Sequence, residues 1–487
     1  MERTYMLKLL KNYINGRSCE ILGLGVSNLP LAEYLVNEGL SLTVRDKKSL
    51  EELGARAEAL LAAGAKFDLG TNAFEGVDGE LIFRSPGIRP DKPFLIEATD
   101  RGAELTSEME LFLSLTPATC FAVTGSDGKT TTTTLTGLFL TADTEKKGIG
   151  RAYVGGNIGE PLLHAVDTMT AYDRAALELS SFQLMRVKRS PEFAAITNIS
   201  PNHLDWHTGM DEYIKAKLNI VGENTRRFVT NADSAEAAVL AADVAQEGRE
   251  RDIFLFSSTA ESYESVFPFE PREGDRAVYE RDGYIVISDG KTEERLLPVS
   301  AIRVPGRHNV ENFMCAIALT YGEVEREVYA EVAQSFTGVK HRLELVRTLD
   351  GVDYFNSSID SSPSRTAAAL SALHGRDIVI ICGGYDKNIP YEPLAEVLCR
   401  SARTVVLTGA TAKKIEAALI SCKAYKHGAP EYLHAPDLES AVKMARDHSK
   451  RGGCVLLSPA SASFDAFPNF AVRGEVFRKI VENFEEN

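Results

Sequence analysis

Short runs rich in β-branched residues alternate with helix-length amphipathic segments along almost the whole 487-residue chain, and this rhythm constrains the fold more than any other feature. It is the pattern of α/β domains built on mainly parallel sheets. Residues 18–23 read as a strand, 29–38 as a helix and 41–46 as a second strand. A new series opens at 120–124 and continues with strands at 174–179 and 193–199. A third begins near Gly338, with strands expected at 352–356, 378–382, 405–408 and 455–458. At about 150 residues per domain the length predicts roughly three domains. Their expected bounds are 1–107, 108–338 and 339–487. One stretch breaks the rhythm. Asp282-Gly283 and Asp289-Gly290 flank the alternating run 284–288, a hairpin signature that predicts a small antiparallel addition.

Composition removes several classes of function. With 54 Lys+Arg against 69 Asp+Glu the formal charge is 54 − 69 = −15, the wrong sign for a protein that coats nucleic acid. Hydrophobic residues at 44% and charged residues at 25% are globular values and argue against disorder. No apolar run approaches the roughly 18 residues of a spanning helix. The first 16 residues place two lysines within a short apolar stretch and lack a cleavage-type small-residue site, so a secretory leader is not expected. The expectation is a soluble cytoplasmic protein without nucleic-acid or membrane partners. Seven cysteines are scattered singly, without zinc spacing, and read as buried reduced thiols.

The most specific local signal is Thr124-Gly125-Ser126-Asp127-Gly128-Lys129-Thr130, between an apolar strand and a helix rich in threonine. Glycines let backbone amides turn onto phosphate oxygens, Lys129 can reach the terminal phosphates, and the Thr130 hydroxyl can ligate Mg²⁺. The full pattern asks for glycine where Val123 stands, so the loop is a shortened variant. Glu178 ends a strand where a carboxylate can meet a phosphate-bound cation; alone it reads more readily as a solvated strand end. His203 also follows a strand and could ligate a metal, although a single histidine is more often structural. Lys217, on a helix beginning near Asp211, reads locally as a surface residue.

Near the N-terminus, Gly23-Leu24-Gly25-Val26-Ser27-Asn28 follows a strand, and Asp46 ends the next strand 21 residues beyond Gly25. This imitates a dinucleotide fingerprint with Asn28 in place of the third glycine, and suits a nucleotide-linked ligand without requiring NAD. In the last third, 382–387 and 458–470 are glycine- and serine-rich loops after strands, where open α/β sheets place ligands.

Taken together, these motifs resemble the Mur ligase family. The resemblance adds Ser85-Pro86-Gly87, Gly155-Gly156-Asn157-Ile158-Gly159, the run 177–184 (LELSSFQL), the run 202–207 (NHLDWH), Gly306-Arg307-His308-Asn309 with Asn312, and His341-Arg342-Leu343-Glu344. SSFQL, and SPASASFDAFPNF followed by Arg473-Gly474, point to the branch that adds D-glutamate. The resemblance implies a Rossmann-like uridine-nucleotide domain, a central P-loop ATPase-like domain with the antiparallel addition, and a Rossmann-like C-terminal domain. It implies ATP-dependent amide formation, joining D-glutamate to UDP-N-acetylmuramoyl-L-alanine through an acyl phosphate, in peptidoglycan precursor synthesis. The cofactors implied are ATP and two Mg²⁺ ions, and the state implied is a monomer.

Roles carry over by position. Gly125, Ser126, Asp127, Gly128, Lys129, Thr130 and Thr131 would hold ATP phosphates, with Asn309, Asn312 and Arg342 on the adenine side. Thr130 and Glu178 would hold one Mg²⁺, and His203 the second with Lys217 as a carbamate; Lys129, Glu178, His203 and Lys217 form the catalytic set. Val26, Ser27, Asp46, Ser85, Gly87 and Asn157 match contacts to the uridine-nucleotide substrate, and Ser361, Lys387, Ser463 and Phe470 match contacts to D-glutamate. One loop departs. Many relatives read Asn-Asp-Ser-Lys-Ala-Thr where this chain has Asn356-Ser357-Ser358-Ile359-Asp360-Ser361, so Asp360 is a candidate for the missing acid. The alternatives are a related ligase, of the Mur or folylpolyglutamate type, for another amino acid or acceptor, and an inactive nucleotide-binding regulator.

Overall fold

A computed structural model describes residues 8–486 apart from 205, 388 and 427. Three sheets organise the chain, and each grows from apolar strands whose carboxyl ends carry the loops of interest. The first contains β1 (Cys19–Leu22), β2 (Leu42–Asp46), β3 (Lys66–Leu69), β4 (Leu81–Arg84) and β5 (Glu104–Thr106). All are parallel, in the order β3-β2-β1-β4-β5. Because β1 lies between β2 and β4, the strand order reverses at its end, and that is where the Gly23 turn sits.

The second sheet contains β6 (Thr119–Thr124), β7 (Ala152–Gly156), β8 (Arg174–Glu178), β9 (Phe193–Ile196), β10 (Arg227–Asn231), β11 (Asp252–Phe256), β12 (Arg276–Arg281), β13 (Tyr284–Ser288) and β14 (Glu293–Pro298). Its order is β14-β13-β12-β11-β10-β9-β6-β8-β7. Strands β7 to β12 and β6 are parallel, whereas β12, β13 and β14 run antiparallel, which is the expected addition. Here β6 is the reversal point, flanked by β8 and β9, and the phosphate-type loop leaves from its end. Phe121 and Phe193 stack across β6 and β9 at 4.4 Å between ring centres.

The third sheet contains β15 (Glu344–Leu349), β16 (Val352–Asn356), β17 (Ile378–Cys382), β18 (Ala402–Leu407), β19 (Glu431–His434) and β20 (Cys454–Leu457). In the order β15-β16-β20-β17-β18-β19, β20 is inserted between β16 and β17. The two loops at 382–387 and 458–470 therefore leave from adjacent strands. Strand β15 pairs antiparallel with β16 and was not expected.

The chain divides into two compact units, 1–299 with 310–332, and 300–309 with 333–487. The first holds the first two sheets and the second holds the third sheet. All seven cysteines are free; five are buried, while Cys399 and Cys422 are half-buried. Among the described residues no helix is long and apolar enough to cross a membrane.

Candidate active site

The turn after β6 is a cradle whose shape is fixed by its own glycines and by the end of β9. Gly125 (φ +146°) and Gly128 (φ +77°) take backbone conformations that side chains resist. A Cβ on Gly125 would overlap the Thr197 hydroxyl, and one on Gly128 would meet Asn312 Oδ1 at 2.5 Å. Asn198 Oδ1 accepts from the Asp127 amide at 2.9 Å, and the buried Ser126 hydroxyl donates to the Ser200 carbonyl at 2.9 Å. Lys129 opens the helix Lys129–Lys147 and folds back, donating to the carbonyls of Gly125 and Ser126 at 2.9 Å each. Thr130 and Thr131 follow in the first turn, where unpaired amides and the helix dipole favour an anion. Asn312 is buried under this turn, and its Oδ1 also accepts from Thr132 at 3.3 Å.

Glu178, at the end of β8, is 2% exposed. Its Oε1 accepts from Asn157 Nδ2 at 2.7 Å, while Oε2 is buried with no hydrogen-bond partner. An orphaned carboxylate oxygen is costly in a protein interior and is the donor that a hard cation such as Mg²⁺ takes. Lys217, on the helix Met210–Leu218, is likewise 2% exposed, contrary to its surface reading from local sequence. Its Nζ donates to the Gly125 carbonyl at 2.7 Å and lies 4.6 Å from the Tyr213 ring centre. Burial, and then the neighbouring Lys129 ammonium, pull this amine down to about 7. Its charge is therefore easily given up near neutrality. His203 stands on an exposed loop in a left-handed conformation (φ +54°), its ring 5.0 Å from that of Phe182. Among the described residues no three His, Cys, Asp or Glu side chains cluster as a metal site, so the expected ligand set depends on Thr130 and on a modified Lys217.

In the first sheet's loop, Asp46 is half-buried: Oδ2 accepts from the Leu24 amide at 2.8 Å and Oδ1 from the Lys48 amide at 3.0 Å. Asn28, where a third glycine was missing, is 1% exposed and donates to the Gly23 carbonyl at 2.9 Å, so it braces the turn. Val26 is 81% exposed and Ser27 half-buried, both open to a ligand. Ser85 and Gly87 lie on the turn after β4, wrapped by Arg84, which is 1% exposed. Arg84 Nη1 donates to the carbonyls of Ser85, Pro86 and Ile88 at 3.4, 3.3 and 2.8 Å, and Nη2 to that of Phe182 at 3.4 Å. Burial lowers this guanidinium to about 10.

In the C-terminal unit, the loops carrying Ser361, Lys387 and Ser463 and the helix beginning at Phe470 converge on Arg473, a residue that motif reading left without a role. Arg473 is 3% exposed. It donates to the Ser358 hydroxyl and carbonyl at 3.0 and 2.9 Å, and to the carbonyls of Ala462 and Ser461 at 3.0 and 3.1 Å. Ser358 donates on to the Phe470 carbonyl at 2.8 Å, and the Tyr385 amide to that of Ala462 at 2.8 Å. Lys387 Nζ reaches the Ser361 hydroxyl at 3.5 Å, which places those two expected ligands together. Ser463 is 2% exposed and Phe470 40%. A cavity of about 130 Å³, lined by Gly383, Gly384, Gly409, Leu438, Phe467 and Arg473, opens behind the same loops. Asp360 is buried and accepts from the Ser458 hydroxyl at 2.8 Å, with its carboxyl raised by burial. Asn309 donates to the Pro305 carbonyl at 2.6 Å, and Arg342 lies near His308, whose ring is lowered first by burial and then by that guanidinium.

The chain is similar to known proteins over nearly its whole length. Residues 123–320 match the model of the Mur ligase middle domain, and 341–461 that of the Mur ligase glutamate ligase domain. A UDP-N-acetylmuramoylalanine--D-glutamate ligase of Ruminiclostridium cellulolyticum is 42% identical over 98% of this chain and 99% of its own. Proteins of the same name from Acetivibrio thermocellus and Clostridium novyi are 40% and 41% identical, covering 98% and 97% of this chain and 98% of each relative. Among solved structures, the UDP-N-acetylmuramate-alanine ligase of Thermotoga maritima superposes with a TM-score of 0.55 at 19% identity, over 96% of this chain and 99% of its own. At that identity the likeness shows the three-domain α/β fold. Near-full-length similarity to the D-glutamate ligases decides the family, and the chain belongs to the Mur ligases.

Proposed function

We propose that this chain is an ATP-dependent ligase that joins D-glutamate to UDP-N-acetylmuramoyl-L-alanine in peptidoglycan precursor synthesis. The observation that carries the reading is a phosphate cradle beside the orphaned Glu178 carboxylate, in a chain 40–42% identical over nearly its full length to D-glutamate ligases. The ligand-binding domains are 1–107 for the uridine nucleotide, 108–338 for ATP and 339–487 for the amino acid. The protein works in the cytoplasm as a monomer, on small-molecule substrates.

The acceptor's terminal carboxylate attacks the γ-phosphate of ATP, giving an acyl phosphate and ADP. The D-glutamate amine then attacks the acyl carbon, and the tetrahedral intermediate expels phosphate. Positioning and electrostatics supply most of such a rate enhancement. The amides of residues 125–131 and the Lys129 ammonium hold the phosphates, once Lys129 leaves the two loop carbonyls it now binds. Asn312 supports the turn from beneath, and Asn309 and Arg342 serve the adenine side. Magnesium, held by Thr130 and Glu178 at one place and by His203 and Lys217 at another, would neutralise charge on the transferring phosphoryl group. A buried amine near 7 is abundant in its neutral form, the form that adds CO₂ and releases a proton. The resulting carbamate would give Lys217 an anionic oxygen with which to hold the cation. Val26, Ser27, Asp46, Ser85 and Gly87 receive the uridine nucleotide and Asn157 its muramoyl part; Ser361, Lys387, Ser463 and Phe470 receive D-glutamate.

ADP release with UDP-N-acetylmuramoyl-L-alanine, with and without D-glutamate and beside L-glutamate and other amino acids, tests the reading. Turnover with D-glutamate alone is expected. No ADP under any condition sinks the ligase, and turnover with another amino acid removes the substrate assignment.

A further inference from the structure

Arg89 stands two residues beyond Gly87, on the loop after β4, and its guanidinium reaches residues more than a hundred positions away as well as the nearby Asp91. Nη1 donates to the Trp206 carbonyl at 2.7 Å. Nη1 and Nη2 reach Glu212 Oε2 and Oε1 at 3.1 and 2.9 Å, a two-pronged pair, while Asp91 takes the remaining edge. The guanidinium also lies over the Trp206 ring at 4.9 Å, and the indole N–H returns a bond to the Gly87 carbonyl at 3.3 Å. Glu212 Oε2 accepts in addition from His207 Nδ1 at 3.1 Å and from the Thr208 amide at 2.9 Å. A carboxylate only accepts, so Nδ1 of His207 carries the proton, and Nε2 is left to accept from the Ser181 hydroxyl at 2.9 Å.

One carboxylate thus gathers three pieces of the proposed site: the turn 85–87, the segment 203–207, and the helix Met210–Leu218 with Lys217. His203 precedes Trp206 by three residues, and Lys217 follows Glu212 by five. Capping that helix would require only the Thr208 amide. The double prong, the cation–π stack and the returned indole bond are ordered geometry that an exposed ion pair lacks. The side chains are accordingly only 16% and 23% exposed.

We propose that Arg89 and Glu212 are positioning residues, whose ion pair sets the turn that receives the uridine-nucleotide acceptor against the loop and helix that carry His203 and Lys217. The proposal rests on the ligase reading for its effect on turnover. A shift of about 1 Å between reacting groups is enough to lower a rate about a hundredfold.

Trp206 is the chain's single tryptophan, so its fluorescence reports the clamp without any chemistry. Titrating UDP-N-acetylmuramoyl-L-alanine into the native protein without ATP is expected to change Trp206 emission saturably. In Arg89→Gln, calorimetry is expected to show binding within about threefold of native, with the emission change lost. In the same variant kcat should fall about 30-fold with the KM for ATP within about threefold, effects of a misplaced acceptor. Glu212→Gln added to Arg89→Gln should lower kcat less than twofold further, because both changes break one device. Arg89→Lys, which keeps the charge and most of the packing, should recover part of kcat and guards against a misfolded variant. An unchanged emission response on binding to Arg89→Gln, or kcat effects that multiply in the double variant, overturns the proposal. A native protein that releases no ADP yet keeps the Arg89-dependent emission change sinks the ligase reading alone.

Discussion

The phosphate loop and the amino-acid pocket, both assigned to anions in the proposed function, are built in different ways. Around 125–130 the shape comes from contiguous sequence, with two glycines in left-handed backbone and a helix starting at once. The segment after β9 braces it through Asn198 and Ser200, and Lys217 holds the Gly125 carbonyl. In the C-terminal unit the loops at 357–361 and 458–467 and the helix Phe470–Glu482 have no such local device. Their ties centre on a buried guanidinium whose hydrogen bonds go to three carbonyls and a hydroxyl, with Ser358 bound to the Phe470 carbonyl and Ser458 to Asp360 beside it. A cradle shaped mainly by its own sequence separates function from stability; one centred on a buried cation joins them.

The sharpest way to break this contrast is Lys129→Ala. It is expected to reduce ADP release roughly 10³-fold, the scale of losing a charged transition-state contact, while the urea midpoint stays near native. A large loss of stability would show that the loop is not self-supporting. Lys217→Ala should lose roughly 10²-fold in turnover and recover part of it with added short-chain carboxylates, which stand in for the carbamate. Wild-type-like turnover would refute the carbamate. Arg473→Met should lower the unfolding free energy by about 3 kcal/mol, because buried carbonyls are left without donors, and should raise the KM for D-glutamate. If urea unfolding moved by less than about 1 kcal/mol, the keystone role would fail. Arg473→Lys should lie between, since an ammonium cannot reproduce the fork. The smallest effect is expected from Asp360→Asn. Burial raises this carboxyl, so the native state binds its proton more tightly than the unfolded chain, and stability falls as pH rises through the raised value. The variant should remove that fall and leave the KM for ATP within about twofold, since the carboxyl is engaged with Ser458. A large rise in that KM would restore Asp360 as the substitute acid.

Legibility follows the same division. The cradle, the strands around it and the Asp-Gly turns could be read because each is written in a few adjacent residues. Asp282 and Gly283 indeed take the positive φ values that such a turn needs (+50° and +75°). Strand β15 was missed because an edge strand of half-buried and charged residues shows no apolar alternation. Lys217 read as a surface residue because its burial is created by Gly125 and Thr124, more than ninety positions earlier. Asn28 broke a glycine pattern, yet its side chain supplies a bond to the turn that no glycine could. Arg473 showed its position but not its role, since every group its guanidinium binds lies at least eleven residues away.

Three of the groups held by Arg473 are backbone carbonyls, and a carbonyl is the same whichever amino acid carries it. The sequence of these loops can therefore drift over generations without the guanidinium losing its grip on their course. A lineage could exchange exposed side chains along these loops while inheriting the frame intact. Side-chain variation and backbone course are uncoupled wherever the guanidinium meets a carbonyl.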